Sequence, residues 1–142
     1  MKTRWRLIED GPASGGWNMG VDEALLATAV EGVATFRLYS WDGPWLSLGY
    51  DQRFGEAIAE AGHQVGVGAV RRATGGRAVL HGGDVTYAIA APESALPAGL
   101  RGSYERLADV LLGALAAVGV AADRSVAGPV ASLNARGQDR QF

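Results

Sequence analysis

Arg71-Arg72-Ala73-Thr74-Gly75-Gly76-Arg77-Ala78-Val79-Leu80-His81, continued by Gly82-Gly83-Asp84-Val85-Thr86-Tyr87, is the stretch on which the reading of this chain turns. Val65 to Arg72 reads as a strand, Thr74-Gly75-Gly76 as a loop, and Arg77–His81 and Asp84–Ala91 as two more strands around Gly82-Gly83. Glycines admit positive φ and let backbone N–H groups approach a ligand. Successive N–H groups in such a turn form an anion nest. Arg71, Arg72 and Arg77 add cationic forks suited to phosphate or carboxylate. Thr74 offers a hydroxyl donor, and His81 a ring nitrogen for a carbonyl or phosphoryl oxygen. The plain alternative is a β-hairpin with a glycine turn and solvated arginines. A P-loop and a dinucleotide fingerprint are both excluded, because the Gly-x-x-x-x-Gly-Lys spacing is missing and no helix follows the glycines.

Upstream, Trp5 to Glu9 alternates like a short strand, and Gly11 to Gly16 is a turn-rich break. A helix starts near Trp17 or Asn18 and runs to about Glu31, where Gly32 ends it. Ala34–Trp41 and Trp45–Tyr50 read as strands joined by Asp42-Gly43-Pro44, hence as a hairpin. Gly55 to Gly62 reads as one short helix. Downstream, Pro92 to Gly102 is a loop. A helix over Ser103–Val118 follows, with Tyr104, Leu107, Leu111, Leu115 and Val118 on one stripe that reads as core. Val120 to Asp123 reads as a short strand, and residues 125–142 as an irregular tail or truncated edge, leaving 1–124 as the folded part.

Composition narrows the classes. The length of 142 residues fits one domain, and a 48% hydrophobic fraction is enough for an ordinary core. A net charge of −2 gives no basic footprint for nucleic acid. No apolar run approaches the roughly 20 residues of a membrane span, and Met1–Asp10 is charged and strand-like rather than a signal peptide. A cytoplasmic location is the default expectation. Cysteine is absent and Lys2 is the sole lysine, so the chain offers one amine and no thiol. That also excludes disulfides and thiolate metal sites, and no metal site is expected. The 21 glycines are about twice the roughly 7% background, and many lie between Gly62 and Gly83.

Other polar residues have bland readings. His63, beside Gly62, reads as a surface or capping residue. Asp22 and Glu23 point about 100° apart on a helix, which favours capping or ion pairing over shared acid–base work. Asp84 reads as a corner residue at Gly82-Gly83, or as a partner for an arginine. Trp41, Trp45 and Tyr50 suit either the wall of a ligand pocket or the packing of a hairpin face.

The Arg71–His81 stretch resembles the lipoate–protein ligase and octanoyltransferase family, relatives of the biotin–protein ligases. That family's motif reads Arg-Arg, any residue, Ser or Thr, Gly-Gly, Gly or Arg, Ala-Val, any residue, His, and every defined position is filled here. Asn18-Met19-Gly20-Val21-Asp22-Glu23-Ala24 resembles the family's first helix. Phe36–Trp41 and Leu46–Gln52 resemble its next two strands. The resemblance implies an α+β fold: a mixed, mostly antiparallel sheet with packed helices, biotin/lipoate protein ligase-like and incomplete at its C-terminus. It also implies ligand binding at Arg72, Thr74, Gly75, Gly76, Arg77 and His81, with Gln52 a further carry-over. Arg77, where the ligase branch usually has glycine, looks more like the octanoyltransferase branch.

Transferases of this family use a cysteine that carries the acyl thioester, and the family needs a lysine beyond the region present here. No catalytic residue is therefore assigned, and the chain alone is expected to be inactive unless a second chain supplies the rest. The implied activity is transfer of octanoate or lipoate to a lysine of a lipoyl-carrier domain, such as the glycine cleavage H protein or a 2-oxoacid dehydrogenase E2. Acyl carrier protein is the preferred donor. No tightly bound cofactor is implied, with ATP and Mg²⁺ needed only if the chain is an ATP-dependent lipoate ligase. A non-catalytic acyl-binding half that works with a partner chain stays open beside these.

Overall fold

Two β–α–β units, each widened by one antiparallel strand, build the segment Met1–Leu96; a second unit spans Pro97–Phe142. The computed structural model describes residues 3–53, 55–124, 132–133 and 139–140. In the first β–α–β unit, β1 (Arg4–Ala13), α1 (Gly15–Ala29) and β2 (Val33–Trp41) follow in order. β1 pairs parallel with β2, and β6 (Thr86–Ala90) adds to the other edge of β2 antiparallel, giving the order β1-β2-β6. The second repeats the plan with β3 (Trp45–Leu48), α2 (Glu56–Gln64) and β4 (Gly68–Arg71). There β3 pairs parallel with β4 and antiparallel with β5 (Val79–His81), in the order β4-β3-β5. The α+β class and the mixed pairing match expectation; the single sheet is instead two three-stranded sheets.

The predicted hairpin of Ala34–Trp41 with Trp45–Tyr50 is not formed. β2 and β3 belong to different sheets, and the Asp42–Pro44 turn carries the chain between them. Asp42 N–H donates to the Ala13 carbonyl at 3.1 Å and the Pro44 carbonyl accepts from Gly68 N–H at 3.1 Å, so each end of the turn is tied to a different sheet. A tight turn between alternating strands fixes a reversal, not the partner each strand takes. The same holds for β5 and β6 around Gly82-Gly83.

The glycine-rich break before the first helix is also shorter than predicted. β1 runs on to Ala13 through an irregularity between Glu9 and Pro12, which an edge strand tolerates. Ser14 caps α1 by accepting Trp17 N–H at 3.3 Å, so the helix begins at Gly15. Gly15 is there for space: a Cβ on it would lie 2.4 Å from the Trp45 ring, and one on Gly68 2.6 Å from the same ring. Trp45 is thus packed on Gly15 and Gly68.

The core of this segment is Met19, Leu25 and Ala29 of α1 with Ala34 and Tyr39 of β2, Leu48 of β3 and Ala90 of β6. At its centre lies a charge. Arg37 has no exposed surface. Its Nε donates to Asp10 at 2.7 Å, Nη1 to Asp22 at 2.8 Å and to the Asn18 carbonyl at 3.1 Å, and Nη2 to Asn18 Oδ1 at 2.9 Å. The Tyr39 ring lies 4.0 Å from the guanidinium carbon, and its hydroxyl donates to Asp22 at 3.0 Å. Burial, with the Asp22 carboxylate, pushes the Tyr39 phenol upward. Asp22 therefore takes the ion-pairing role. Every buried side-chain nitrogen and oxygen among the described residues has a partner.

In the second unit, α3 (Leu100–Ala117) starts three residues before the predicted Ser103. The predicted core stripe does not materialise as core: no residue of α3 is buried, and Tyr104 and Val118 are each 75% exposed. Helical spacing identifies an apolar face but not what covers it. Val120–Asp123 is not a strand; Arg124 instead donates to the Glu105 carbonyl at 2.9 Å and pairs with Asp109. The irregular tail predicted over 125–142 lies outside the described residues except for β7 (Ser132–Leu133) and β8 (Asp139–Arg140), which pair antiparallel. No helix of the described residues is long and apolar enough to cross a membrane.

Removing one partner of a buried ion pair strands the other charge, which costs about 3–5 kcal/mol. Arg37→Ala is expected to lower the unfolding free energy by about that amount, read as a shifted midpoint in urea denaturation. A change within error would show that the Asp10–Arg37–Asp22 network holds nothing in place.

Candidate functional site

The motif loop is built on a close crossing of two backbones. Gly49 passes under Gly76 so tightly that a Cβ on it would sit 1.9 Å from the Gly76 carbonyl oxygen. Tyr50 N–H donates to the Thr74 carbonyl and Arg72 N–H to the Leu48 carbonyl, both at 2.9 Å. Gly76 takes φ of +100°, which favours glycine.

Two arginines lock that crossing. Arg71 Nη1 faces the carbonyls of Gly49, Tyr50 and Gln52 at 2.7, 2.9 and 2.8 Å. Arg72 Nη1 donates to the Ser47 carbonyl at 2.8 Å and to Ser47 Oγ at 2.7 Å. Arg72 Nη2 donates to the carbonyls of Gly75 at 3.2 Å and Arg77 at 2.9 Å. Both arginines have the composition of forks for an anion; the structure turns these nitrogens onto the chain itself. Arg77 is different: its side chain is exposed and has no hydrogen bond or ion pair to any described residue. The N–H groups of Gly75, Gly76 and Arg77 are likewise without a partner among the described residues.

His81 closes the other side. It is buried, and its ring stacks on Trp41 with centroids 4.1 Å apart. Nδ1 lies 2.8 Å from Asp84 Oδ2 and Nε2 lies 2.7 Å from Ser47 Oγ. Both ring nitrogens are thus engaged by protein. Asp84 also accepts from the Thr86 hydroxyl at 2.8 Å and Gly82 N–H at 3.1 Å, and Thr86 accepts from Trp41 Nε1 at 2.8 Å. Burial alone would raise the Asp84 carboxyl. The bonds from His81, Thr86 and Gly82 outweigh it and hold Asp84 well below the usual carboxylate range.

Between these walls lies a cavity of about 250 Å³. Its apolar side is Met19, Leu25 and Leu26 of α1 with Ile89 and Ala90 of β6. Its polar side is Arg72, Thr74, His81 and Thr86, with Asp22 and Tyr39 from the buried network. Of the predicted site residues, Arg72, Thr74 and His81 line it. Gly75, Gly76, Arg77 and Gln52 do not; Gln52 accepts from Gly49 N–H at 3.3 Å and so helps shape the crossing. Of the three aromatics, Trp41 alone lines the cavity; Trp45 packs on Gly15 and Gly68, and Tyr50 is exposed. Sequence reasoning missed Ser47, Thr86 and the full role of Asp84. The spacing of His81 and Asp84 across two glycines was the available signal, because a glycine corner brings such a pair into contact.

Residues 14–134 match the model of the lipoyl protein ligase A/B catalytic domain. Octanoyltransferase LipM of Kyrpidia tusciae is 43% identical over 120 residues, covering 81% of this chain and 44% of that protein. Octanoyltransferase LipM of Moorella thermoacetica is 44% identical over 120 residues with the same coverage, and that of Symbiobacterium thermophilum 38% identical over 125 residues, covering 86% and 46%. The chain thus spans less than half the length of these curated relatives.

Two outcomes test this geometry. Gly49→Ala should cost about 1–3 kcal/mol through overpacking and speed hydrogen exchange at the Tyr50 amide; unchanged protection there would refute the crossing. A carboxylate held low when folded stabilises above its ordinary value of 3.8 and loses that contribution as pH falls toward its folded value. The stability difference between the unmodified chain and Asp84→Asn should therefore be constant near neutrality and shrink below pH 3.8 in urea titrations. A difference that grows in acid would reverse the assignment.

Proposed function

Because this chain belongs to the lipoyl protein ligase A/B catalytic domain family, we propose that it forms the acyl-binding part of an octanoyltransferase that modifies a lysine on a lipoyl-carrier domain. The observation that carries this reading is the cavity itself, apolar along α1 and β6 and polar where the motif loop meets it. A medium-length acyl chain fits the first side by apolar burial. Its activated carbonyl lies at the second, near Thr74, from which the loop runs on to the unpartnered N–H groups of Gly75, Gly76 and Arg77. Such donors stabilise the negative charge that develops on a carbonyl oxygen under attack. Further along the loop Arg77 adds an exposed cation, suited to an anionic carrier or head group.

The relatives' shared name favours octanoyl transfer over ATP-dependent ligation. Acyl carrier protein is the donor this reading prefers. The 142 residues contain no cysteine, so a thioester intermediate would form on a group outside them. Within this chain the work is binding and orientation: Thr74 and the loop amides at the head, Met19, Leu25, Leu26 and Ile89 along the tail.

Octanoate should bind the chain in calorimetric titration. Leu26→Asp, at a cavity-lining position already 54% exposed, should weaken that binding about tenfold, or ~1.4 kcal/mol, without unfolding the protein. Equal affinity in both proteins would place the acyl chain elsewhere. A lipoyl domain incubated with octanoyl carrier protein and the chain joined to the remaining segment of a relative should gain the mass of one octanoyl group. A gain seen only with lipoate and ATP would favour the ligase.

A further inference from the structure

We propose that Ser47 and Asp84 are positioning residues, which fix His81 as the neutral Nδ1–H tautomer and through it hold Arg72 and the acyl-binding loop in shape. The inference starts from hydrogen counting. Asp84 already accepts from Gly82 N–H and the Thr86 hydroxyl as a carboxylate, so the hydrogen between Asp84 and His81 sits on Nδ1. Ser47 Oγ already accepts from Arg72 Nη1 at 2.7 Å and has one hydrogen of its own. Ser47 has no exposed surface, and its hydroxyl has no acceptor among the described residues except His81 Nε2, 2.7 Å away. Were Nε2 protonated, that buried hydroxyl hydrogen would be stranded, which folded proteins avoid. The neutral ring uses every donor and acceptor in the chain.

The donations converge on Asp84 from both ends. Trp41 donates to Thr86, Thr86 and His81 donate to Asp84, Ser47 donates to His81, and Arg72 donates to Ser47 and to the carbonyls of Gly75 and Arg77. This network crosses from β2 and β6 of one sheet to β5 and β3 of the other and ends on the motif loop. Ser47, His81 and Asp84 are wired like a nucleophile, base and orienting acid. Burial of Ser47 closes its oxygen to an incoming carbonyl, so the wiring serves geometry. Ser47 and Asp84 lie outside the Arg71–His81 motif and are not among the residues that line the apolar side of the cavity.

The functional half of this inference rests on the acyl-binding reading, whereas the tautomer does not. The chain holds two histidines, so a His63→Gln background leaves His81 alone in a long-range ¹H–¹⁵N spectrum. At neutral pH the unmodified relay should show the Nδ1–H pattern. Asp84→Asn should mix the tautomers and weaken octanoate binding about tenfold with far-UV circular dichroism unchanged. Thr86→Val, which removes one donor to Asp84 and keeps the side-chain shape, should weaken binding less, and Thr86→Ser should restore it. An Nε2–H or doubly protonated ring in the unmodified chain overturns the proposal. So does an Asp84→Asn protein with unaltered tautomer and affinity. A stable octanoyl adduct formed from an octanoyl thioester and abolished by Ser47→Ala would make Ser47 a nucleophile and overturn it as well. If octanoate fails to bind the unmodified chain, the acyl reading falls by itself, and the spectrum decides the relay.

Discussion

A guanidinium without access to water sits at the middle strand of the first sheet, and the helix beside it is placed by that charge. Taking Arg37 out of water costs several kcal/mol unless its donors and charge are met. They are met from β1 by Asp10 and from α1 by Asn18 and Asp22, with the Tyr39 ring against its face. An apolar interface lets a helix slide and rotate at small cost. A fork that must reach one carboxylate, one amide and one carbonyl on the same helix does not. Met19 and Leu25, on α1 between and beyond those anchors, are thereby delivered to the cavity wall.

A second economy of charge governs the loop. Arg71 and Arg72 have the composition of an anion site, yet the nitrogens described above act on backbone carbonyls. The donors of that loop left without a protein partner among the described residues are the amides of Gly75, Gly76 and Arg77 and the Arg77 side chain. The loop is therefore a surface whose shape is set in advance by the chain itself, the kind of preorganised polar arrangement that reorganises little when charge develops beside it.

Much of this was legible in the sequence. The motif located the loop, the alternation located β2 and β3, and the glycine at position 76 announced its unusual φ. Partner choice was not legible: the hairpin reading failed because alternation and a Pro-containing turn carry no information about distant strands, and here each strand takes a parallel neighbour through a helix. The apolar stripe of α3 showed a face and not its cover. Gly15 read as a break because its reason, the Trp45 ring, lies thirty residues along the chain. The relay through Ser47 stayed hidden because a lone serine in a strand looks like any other until the fold brings His81 and Arg72 to its oxygen.

The clamps on the crossing grip main-chain oxygens. Arg71 binds residues 49, 50 and 52, and Arg72 binds 75 and 77, through an atom every amino acid possesses. Side chains at 50 and 77 are thus released from the task of holding the loop's form. Such a frame can change what its rim presents, residue by residue, without renegotiating its architecture.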